Sequence, residues 1–124
     1  MSQDVISDAL NGIMNAKKAR KEFVVVNKHS KLLIKVLDIA IEHGYIKNYK
    51  LEENKLKIDI GKLIKCNAIK PRFNVGVPNI DKYMRRYLPA RDLGILIIST
   101  NKGVLTHVEA YEKEIGGMLI AYFY

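Results

Sequence analysis

The chain contains little that would support a disulfide framework or membrane insertion. It has one cysteine, Cys66, so no intrachain disulfide can form, and this usage is typical of a reducing compartment. Tryptophan is absent, only three of the 124 residues are proline, and no apolar run approaches the ~18 residues of a membrane span. The first residues lack a basic segment followed by an apolar stretch, so they do not predict a secretory signal.

Residues with catalytic or metal-binding chemistry are few and scattered. Cys66 and the three histidines, His29, His43 and His107, stand singly, without the spacing of a zinc site. The sequence also lacks a glycine-rich phosphate loop, a nucleophile elbow and a recognisable pair of catalytic carboxylates. We therefore expect neither enzyme activity nor a bound metal or cofactor.

Positive charge is abundant and unevenly distributed. Lys and Arg number 21 against 13 Asp and Glu, which gives a net charge of +8. Residues 17–35 hold seven basic residues with Glu22 as the one acidic residue, and residues 62–91 hold eight with Asp81. Two basic patches favour a polyanionic partner, because neutralising phosphates releases counterions. A general solubility charge is the alternative interpretation.

Hydrophobic periodicity predicts an α+β fold of two small modules, residues 1–62 and 63–124. In the first, apolar residues recur at spacings of three and four over 4–16, which predicts a helix. A buried strand is expected over 23–26, followed by a helix capped by Ser30 and ended by His43-Gly44. Strands over 45–51 and 55–60 then form a hairpin.

The second module is predicted to be mainly antiparallel β with short helices. Thr106 and Glu109 match a capping box, which starts a helix expected to end near Ile115. The other predicted elements are strands over 63–69, 73–77, 95–99 and 118–124, and a helix between Pro78-Asn79 and Pro89.

A polar turn follows the apolar strand at residues 95–99. It consists of Ser99, Thr100, Asn101, Lys102 and Gly103. Small hydroxyl and amide groups at such a tip suit the shallow minor groove of A-form RNA, where 2′-hydroxyls and base edges are displayed. The same residue types are also common in ordinary turns, so the local sequence leaves both interpretations open.

Several segments resemble one family in the family's own order. The stretch at residues 94–111 reads GILIISTNKGVLTHVEAY. It is similar to the signature of the small-subunit ribosomal protein eight family. DVISDALNGIMNAKKA, SKLLIKVLDIAIEHGYI and IGGMLIAYFY resemble the first helix, second helix and closing strand of that family. KPRFNV and RYLPARDLG resemble its archaeal and eukaryotic cytoplasmic branch.

The resemblance implies a cytoplasmic structural constituent of the small ribosomal subunit. Such a protein binds a central-domain helix of small-subunit ribosomal RNA directly, supports assembly and contacts neighbouring ribosomal proteins, without a membrane. We expect a monomer outside the ribosome. The resemblance places Ser99–Gly103 in the loop that enters the minor groove; Asn101 replaces a Ser or Thr common there.

The resemblance also implies further RNA-binding residues in both modules. Lysines and arginines around the loop would hold phosphates while the nearly neutral tip recognises the RNA. A basic RNA-binding or protein-interaction module outside the ribosome is the alternative function. The remaining predicted RNA-binding residues are Asn15, Lys17, Lys18, Lys31, Lys70, Arg72, Arg91 and Gly117.

Overall fold

The computed structural model describes residues 5–69, 72–90 and 93–124. The chain divides into two compact units, Met1–Asn67 and Ala68–Tyr124. Helices accompany antiparallel sheets in both, which confirms the predicted α+β class. In the part of the chain described, no helix has the length and apolar character needed to cross a membrane.

The N-terminal unit is a three-stranded antiparallel sheet with two helices. Its elements are α1 Val5–Lys18, β1 Phe23–Val26, α2 Lys31–Glu42, β2 Ile46–Glu52 and β3 Lys55–Ile60. The strand order is β1-β3-β2. Ser30 caps α2 as predicted, because its Oγ accepts a hydrogen bond from the Leu33 N–H at 3.1 Å. Both residues of the β2–β3 turn, Glu53 and Asn54, have positive φ, which matches the twist of a two-residue hairpin.

The two faces of this sheet differ in exposure. Leu56, Ile58 and Ile60 alternate along β3 and are buried, as their spacing predicts. The prediction that β1 is buried is wrong, because Phe23 is 47% exposed and Val25 is 48% exposed. A run of β-branched residues does not reveal that the strand lies at a sheet edge with one face in solvent.

Cys66 occupies a buried, apolar position at the end of the N-terminal unit. Its thiol lies 3.8 Å from the carbonyl oxygen of Leu10, and its backbone N–H points at the Met14 sulfur at 3.4 Å. Burial raises the pKa of this thiol to about 12, because the charged thiolate would lose its hydration. Cys66 is therefore a core residue with an unreactive thiol.

This burial predicts slow alkylation and a loss of stability at alkaline pH. At about pH 8, native protein should react with a thiol reagent more slowly than urea-unfolded protein, by a factor on the order of 100 or more.

The thiol of the unfolded protein, with the ordinary pKa of 9.0, ionises before that of the folded protein as the pH rises. The thiol's contribution to stability is therefore present below pH 9 and is lost as the pH rises towards about 12. Urea unfolding should show that Cys66→Ala does not lose stability over this pH range. Equal labelling rates of native and unfolded protein would contradict the burial of the thiol.

The C-terminal unit is built around a second antiparallel sheet. Its elements are β4 Cys66–Ala68 at the boundary, β5 Asn74–Val75, α3 Ile80–Tyr87, β6 Ile95–Thr100, β7 Gly103–Thr106, α4 His107–Glu112 and β8 Gly117–Phe123. The strand order is β4-β8-β6-β7, and β5 also pairs with β8. The predicted strands over 63–69 and 73–77 are too long, since pairing covers only 66–68 and 74–75. Both segments are apolar without a strict alternation of apolar and polar residues, so the sequence did not predict where the strands end.

Helix α4 begins as predicted and ends earlier. The Thr106 hydroxyl accepts from the Glu109 N–H at 3.3 Å and donates to the Glu109 carboxylate at 3.3 Å. The helix ends at Glu112 rather than near Ile115, because Glu114 adopts a left-handed conformation with φ of 54°. The buried His107 accepts the Leu96 N–H at Nδ1, 3.1 Å away, which ties α4 to β6.

The core of this unit lies on one face of the sheet. Leu96, Ile98 and Leu119 of the central strands contribute to it, and Tyr87 and Tyr124 pack on it partly buried. The aromatic C-terminus belongs to this core and its sheet, as predicted, since Tyr122 is 9% exposed and Phe123 is fully buried. The core therefore holds β6 and β8 rigidly up to the point where β6 ends in the predicted loop.

Candidate nucleic-acid interface

A short hairpin turn joins β6 to β7. Thr100 pairs with Gly103, so Asn101 and Lys102 form the two-residue tip. Neither tip residue has a positive φ, whereas Gly103 has φ of 110°. Gly103 thus adopts a left-handed conformation, which a residue with a side chain adopts only at a cost, at the point where the chain enters β7. The sequence predicted this connection from its polar residues, and the structure confirms the turn.

The Thr100 hydroxyl holds this turn together from within. It donates to the Gly103 carbonyl oxygen at 2.8 Å and accepts the Lys102 N–H at 3.1 Å. Its only proton is thus used inside the protein, which leaves one lone pair for a ligand. The Thr100 hydroxyl therefore stabilises the shape of the loop more than it is available to bind a partner.

The neighbouring polar groups face outward. Asn101 and Lys102 are exposed, and Ser99 is half-buried. Within the described part of the chain, the Ser99 hydroxyl has no hydrogen-bond partner. A half-buried hydroxyl without a partner, beside an exposed amide and an ammonium group, is able to bind a polar ligand by hydrogen bonds.

The turn forms one side of an open groove of about 740 Å³. The start of β8 and the segment before it form the other side. Half of this lining was predicted from the sequence, and the residues not predicted are Asn74, Glu114, Ile115, Gly116 and Met118. The glycine pair at 116–117 was the one sequence signal that this second segment approaches the loop.

Gly117 brings the second segment close to the turn. A Cβ at position 117 would collide with the carbonyl oxygen of Ser99 and lie 2.9 Å from Cγ2 of Ile98. At Gly116 a Cβ would lie 2.5 Å from the Val75 carbonyl oxygen. The absence of a side chain therefore allows β8 to pack against β6 directly behind Ser99. Gly117, predicted as an RNA-binding residue, has this packing role in the described structure.

The internal bonds of Thr100 lead to a matched pair of variants. Thr100→Val removes both bonds and should destabilise the protein by about 1–2 kcal/mol. It should also weaken binding to RNA with little change in salt dependence, because the turn loosens while no charge is lost. Urea unfolding and filter binding at several salt concentrations measure the two effects.

Thr100→Ser is the control for this pair, because serine keeps the hydroxyl that makes both bonds. It should stay within about 0.5 kcal/mol of the parent in stability. If serine and valine variants lose affinity equally, the two internal bonds do not set the shape of the loop.

The predicted basic surface of the N-terminal unit lies at two helix ends. Asn15, Lys17 and Lys18 are exposed near the last turn of α1, and Lys31 is the exposed first residue of α2. In the C-terminal unit Arg72 is exposed. Lys70 and Arg91 lie outside the described residues. Among those described, no three metal-ligating side chains are grouped to hold an ion.

Comparison with known proteins places these features in a family. The family model of ribosomal protein S8 matches residues 4–124. The chain is 41% identical to small ribosomal subunit protein uS8 of Thermoplasma acidophilum and 40% identical to that of Nanoarchaeum equitans, over the full length of each. It is 35% identical to uS8A of Schizosaccharomyces pombe, over 98% of both chains. The match covers both units, and the chain belongs to the ribosomal protein S8 family.

Proposed function

We propose that this protein is a structural component of the small subunit of cytoplasmic ribosomes and binds small-subunit ribosomal RNA directly. The turn Ser99–Gly103 enters the minor groove of a central-domain helix, and the bound protein supports assembly of the subunit. Neighbouring ribosomal proteins are its further partners there, and it is a monomer outside the ribosome. The names and organisms of its relatives support the ribosomal and cytoplasmic parts of this proposal.

One observation supports the RNA-binding part most directly. The turn is fixed from inside by the Thr100 hydroxyl, while the Ser99 hydroxyl and the Asn101 amide are available to a ligand. Because the loop is already ordered, little conformational entropy is lost on binding. The shallow minor groove of A-form RNA offers the matching donors and acceptors, namely 2′-hydroxyls and base edges.

The charges support a division between recognition and attraction. The tip carries a single cation, Lys102, whereas the chain as a whole has a net charge of +8. Phosphate contacts increase affinity for any RNA, and contacts to base edges and shape provide specificity. We therefore assign specificity to the neutral groups of the turn and general affinity to the surrounding lysines and arginines.

Salt dependence separates these two roles in an experiment. Lys102→Ala should reduce the slope of log affinity against log salt by about 1, because one phosphate contact is lost. Ser99→Ala should weaken binding to a central-domain transcript about fivefold with an unchanged slope, because it removes a hydrogen bond and no charge. Binding to an RNA duplex of unrelated sequence should barely respond to Ser99→Ala.

Lys55→Ala is the matched control, since Lys55 is an exposed lysine beside the other hairpin turn, in the N-terminal unit. It should leave affinity and slope nearly unchanged. The proposal fails if the parent protein does not prefer the central-domain transcript to the unrelated duplex. If Ser99→Ala and Lys102→Ala reduce binding to both RNAs in the same proportion, the turn Ser99–Gly103 is not the site of specific binding.

A further inference from the structure

Glu114 lies at a position where a glycine would be less strained. Its φ is 54°, and it follows the last turn of α4. The N–H of Glu114 donates to the Tyr111 carbonyl at 3.1 Å, and the N–H of Ile115 donates to the Ala110 carbonyl at 3.0 Å. This pattern of two backbone bonds ends many helices, usually with glycine at the left-handed residue. Helix termination therefore does not require a glutamate here.

The Glu114 side chain belongs to the groove beside the turn. It lines the groove together with Ser99, Asn101 and Lys102. In the described part of the chain, its exposed carboxylate has no ion pair or hydrogen bond. Lys102 and Glu114 are the two charged members of the lining, so the groove has no net charge although the chain is strongly basic.

The chemistry of a carboxylate restricts what this groove can bind. An ionised carboxylate only accepts hydrogen bonds, and it repels a phosphate. The donors in an A-form minor groove are the 2′-hydroxyls and the guanine amino group. We propose that Glu114 is a specificity-determining residue, whose carboxylate accepts a hydrogen bond from such a donor and opposes RNA that presents a phosphate to Glu114 itself. This inference rests on the proposed function.

Two variants of Glu114 and one control variant in the N-terminal unit test the proposal. Glu114→Gln keeps the shape and removes the charge, whereas Glu114→Gly also relieves the backbone strain. Arg20→Gly is the control, since Arg20 has φ of 59° and the same pair of backbone bonds at the end of α1. Both glycine variants should raise the melting temperature by about 3–5 °C.

The measured quantity is the ratio of affinities for a central-domain transcript and an unrelated RNA duplex. Glu114→Gln and Glu114→Gly should lower this ratio about tenfold, with tighter binding of the unrelated duplex, because repulsion of phosphates is removed. Arg20→Gly should leave the ratio unchanged. The proposal is overturned if Glu114→Gln keeps the parent ratio within twofold, or if both affinities rise in equal proportion.

A transcript made with inosine in place of guanosine identifies the donor. Inosine lacks the amino group, so the difference between parent and Glu114→Gln on this RNA should vanish if guanine is the donor. The difference should persist if the donor is a 2′-hydroxyl. If the parent protein shows no preference for the central-domain transcript, the proposed function itself is wrong; an unaltered ratio in the Glu114 variants removes only the role of Glu114.

Discussion

Gly117→Ala is expected to abolish specific RNA binding and to destabilise the protein by about 2–3 kcal/mol. The added methyl group would occupy the position of the Ser99 carbonyl oxygen. That oxygen belongs to the backbone of β6. Ser99 pairs with Val104 of β7 and with Met118 of β8, so its backbone is held on both sides and the oxygen cannot rotate away from the methyl group. β6 and β8 must therefore separate, which displaces the Ser99 hydroxyl and the whole turn. Urea unfolding and binding to a central-domain transcript measure the two losses.

Two other glycine variants separate steric collision from backbone strain. Gly103 and Gly44 both have positive φ, of 110° and 81°, and apart from their chain neighbours no heavy atom lies within 4 Å of the position that a Cβ would occupy. Gly103→Ala and Gly44→Ala should each cost only about 1 kcal/mol, since only conformational strain is added. Of these two, Gly103→Ala alone should affect RNA binding, because Gly103 closes the predicted turn and Gly44 is not among the predicted RNA-binding residues.

Loss of binding in Gly117→Ala must also be separated from unfolding. An osmolyte that restores the folded fraction should not restore binding, because the displacement of Ser99 persists in the folded state. If binding recovers in step with the folded fraction, or if alanine at 117 binds like the parent, the close approach of β8 to Ser99 does not position the turn.

Elements with a strict local pattern were predicted well. Alternation of apolar and charged residues gave the bounds of β3, Lys55–Ile60, which agree with the structure. The serine before an apolar helical stripe correctly placed the N-cap of α2 at Ser30. In both cases the information is contained in a few neighbouring residues, so no knowledge of the tertiary fold was needed.

Features that depend on tertiary position were not predictable in this way. The exposure of Phe23 and Val25 follows from the edge position of β1, which the four-residue run FVVV does not reveal. The left-handed residues Arg20 and Glu114 end helices with the same backbone bonds as Gly44, but only the glycine is a recognisable signal. The predicted end of α4 was wrong for this reason.

The candidate site shows the same limit at the level of single side chains. The sequence predicted a polar turn at Ser99–Gly103, yet adjacent hydroxyls in it have different roles. The Thr100 hydroxyl bonds within the turn, and that of Ser99 has no partner among the described residues. Both side chains carry a hydroxyl group, so the sequence does not distinguish them. Only the geometry of the turn shows which hydroxyl bonds within the protein. Glu114 lines the same groove because β8, which follows it, pairs with β6. The local sequence does not encode that pairing.

Replacing Lys17, Lys18 and Lys31 together by alanine is expected to weaken binding to any RNA on the order of 100-fold at about 0.1 M salt. If each lysine contacts one phosphate, the slope of log affinity against log salt should fall by about 2–3. The ratio between central-domain transcript and unrelated duplex should stay constant, because phosphate contacts carry no sequence information. Filter binding over a range of salt concentrations measures all three quantities.

The folding stability of this triple variant should change little. Lys17 and Lys18 lie in the last turn of α1, where the helix dipole favours cations, so their loss costs a few tenths of a kcal/mol each. Lys31 is the first residue of α2, at the positive end of the dipole, and no acidic residue lies in that turn. Its removal should therefore stabilise the helix, which offsets the loss. A lysine at such an unfavourable position supports a role in binding rather than folding.

A second triple variant, Lys50→Ala, Lys55→Ala and Lys57→Ala, removes the same charge from β2 and β3 of the same unit. Lys50 already pairs with Glu52 at 2.7 Å, and Lys57 lies 4.5 Å from the Phe23 ring centroid, so these lysines have partners within the protein. This control should reduce affinity only slightly, through long-range attraction that salt screens. Equal losses in the two triple variants would mean that net charge, and no particular surface of the N-terminal unit, attracts the RNA. A distinct loss in the first variant would instead locate phosphate contacts at the ends of α1 and α2.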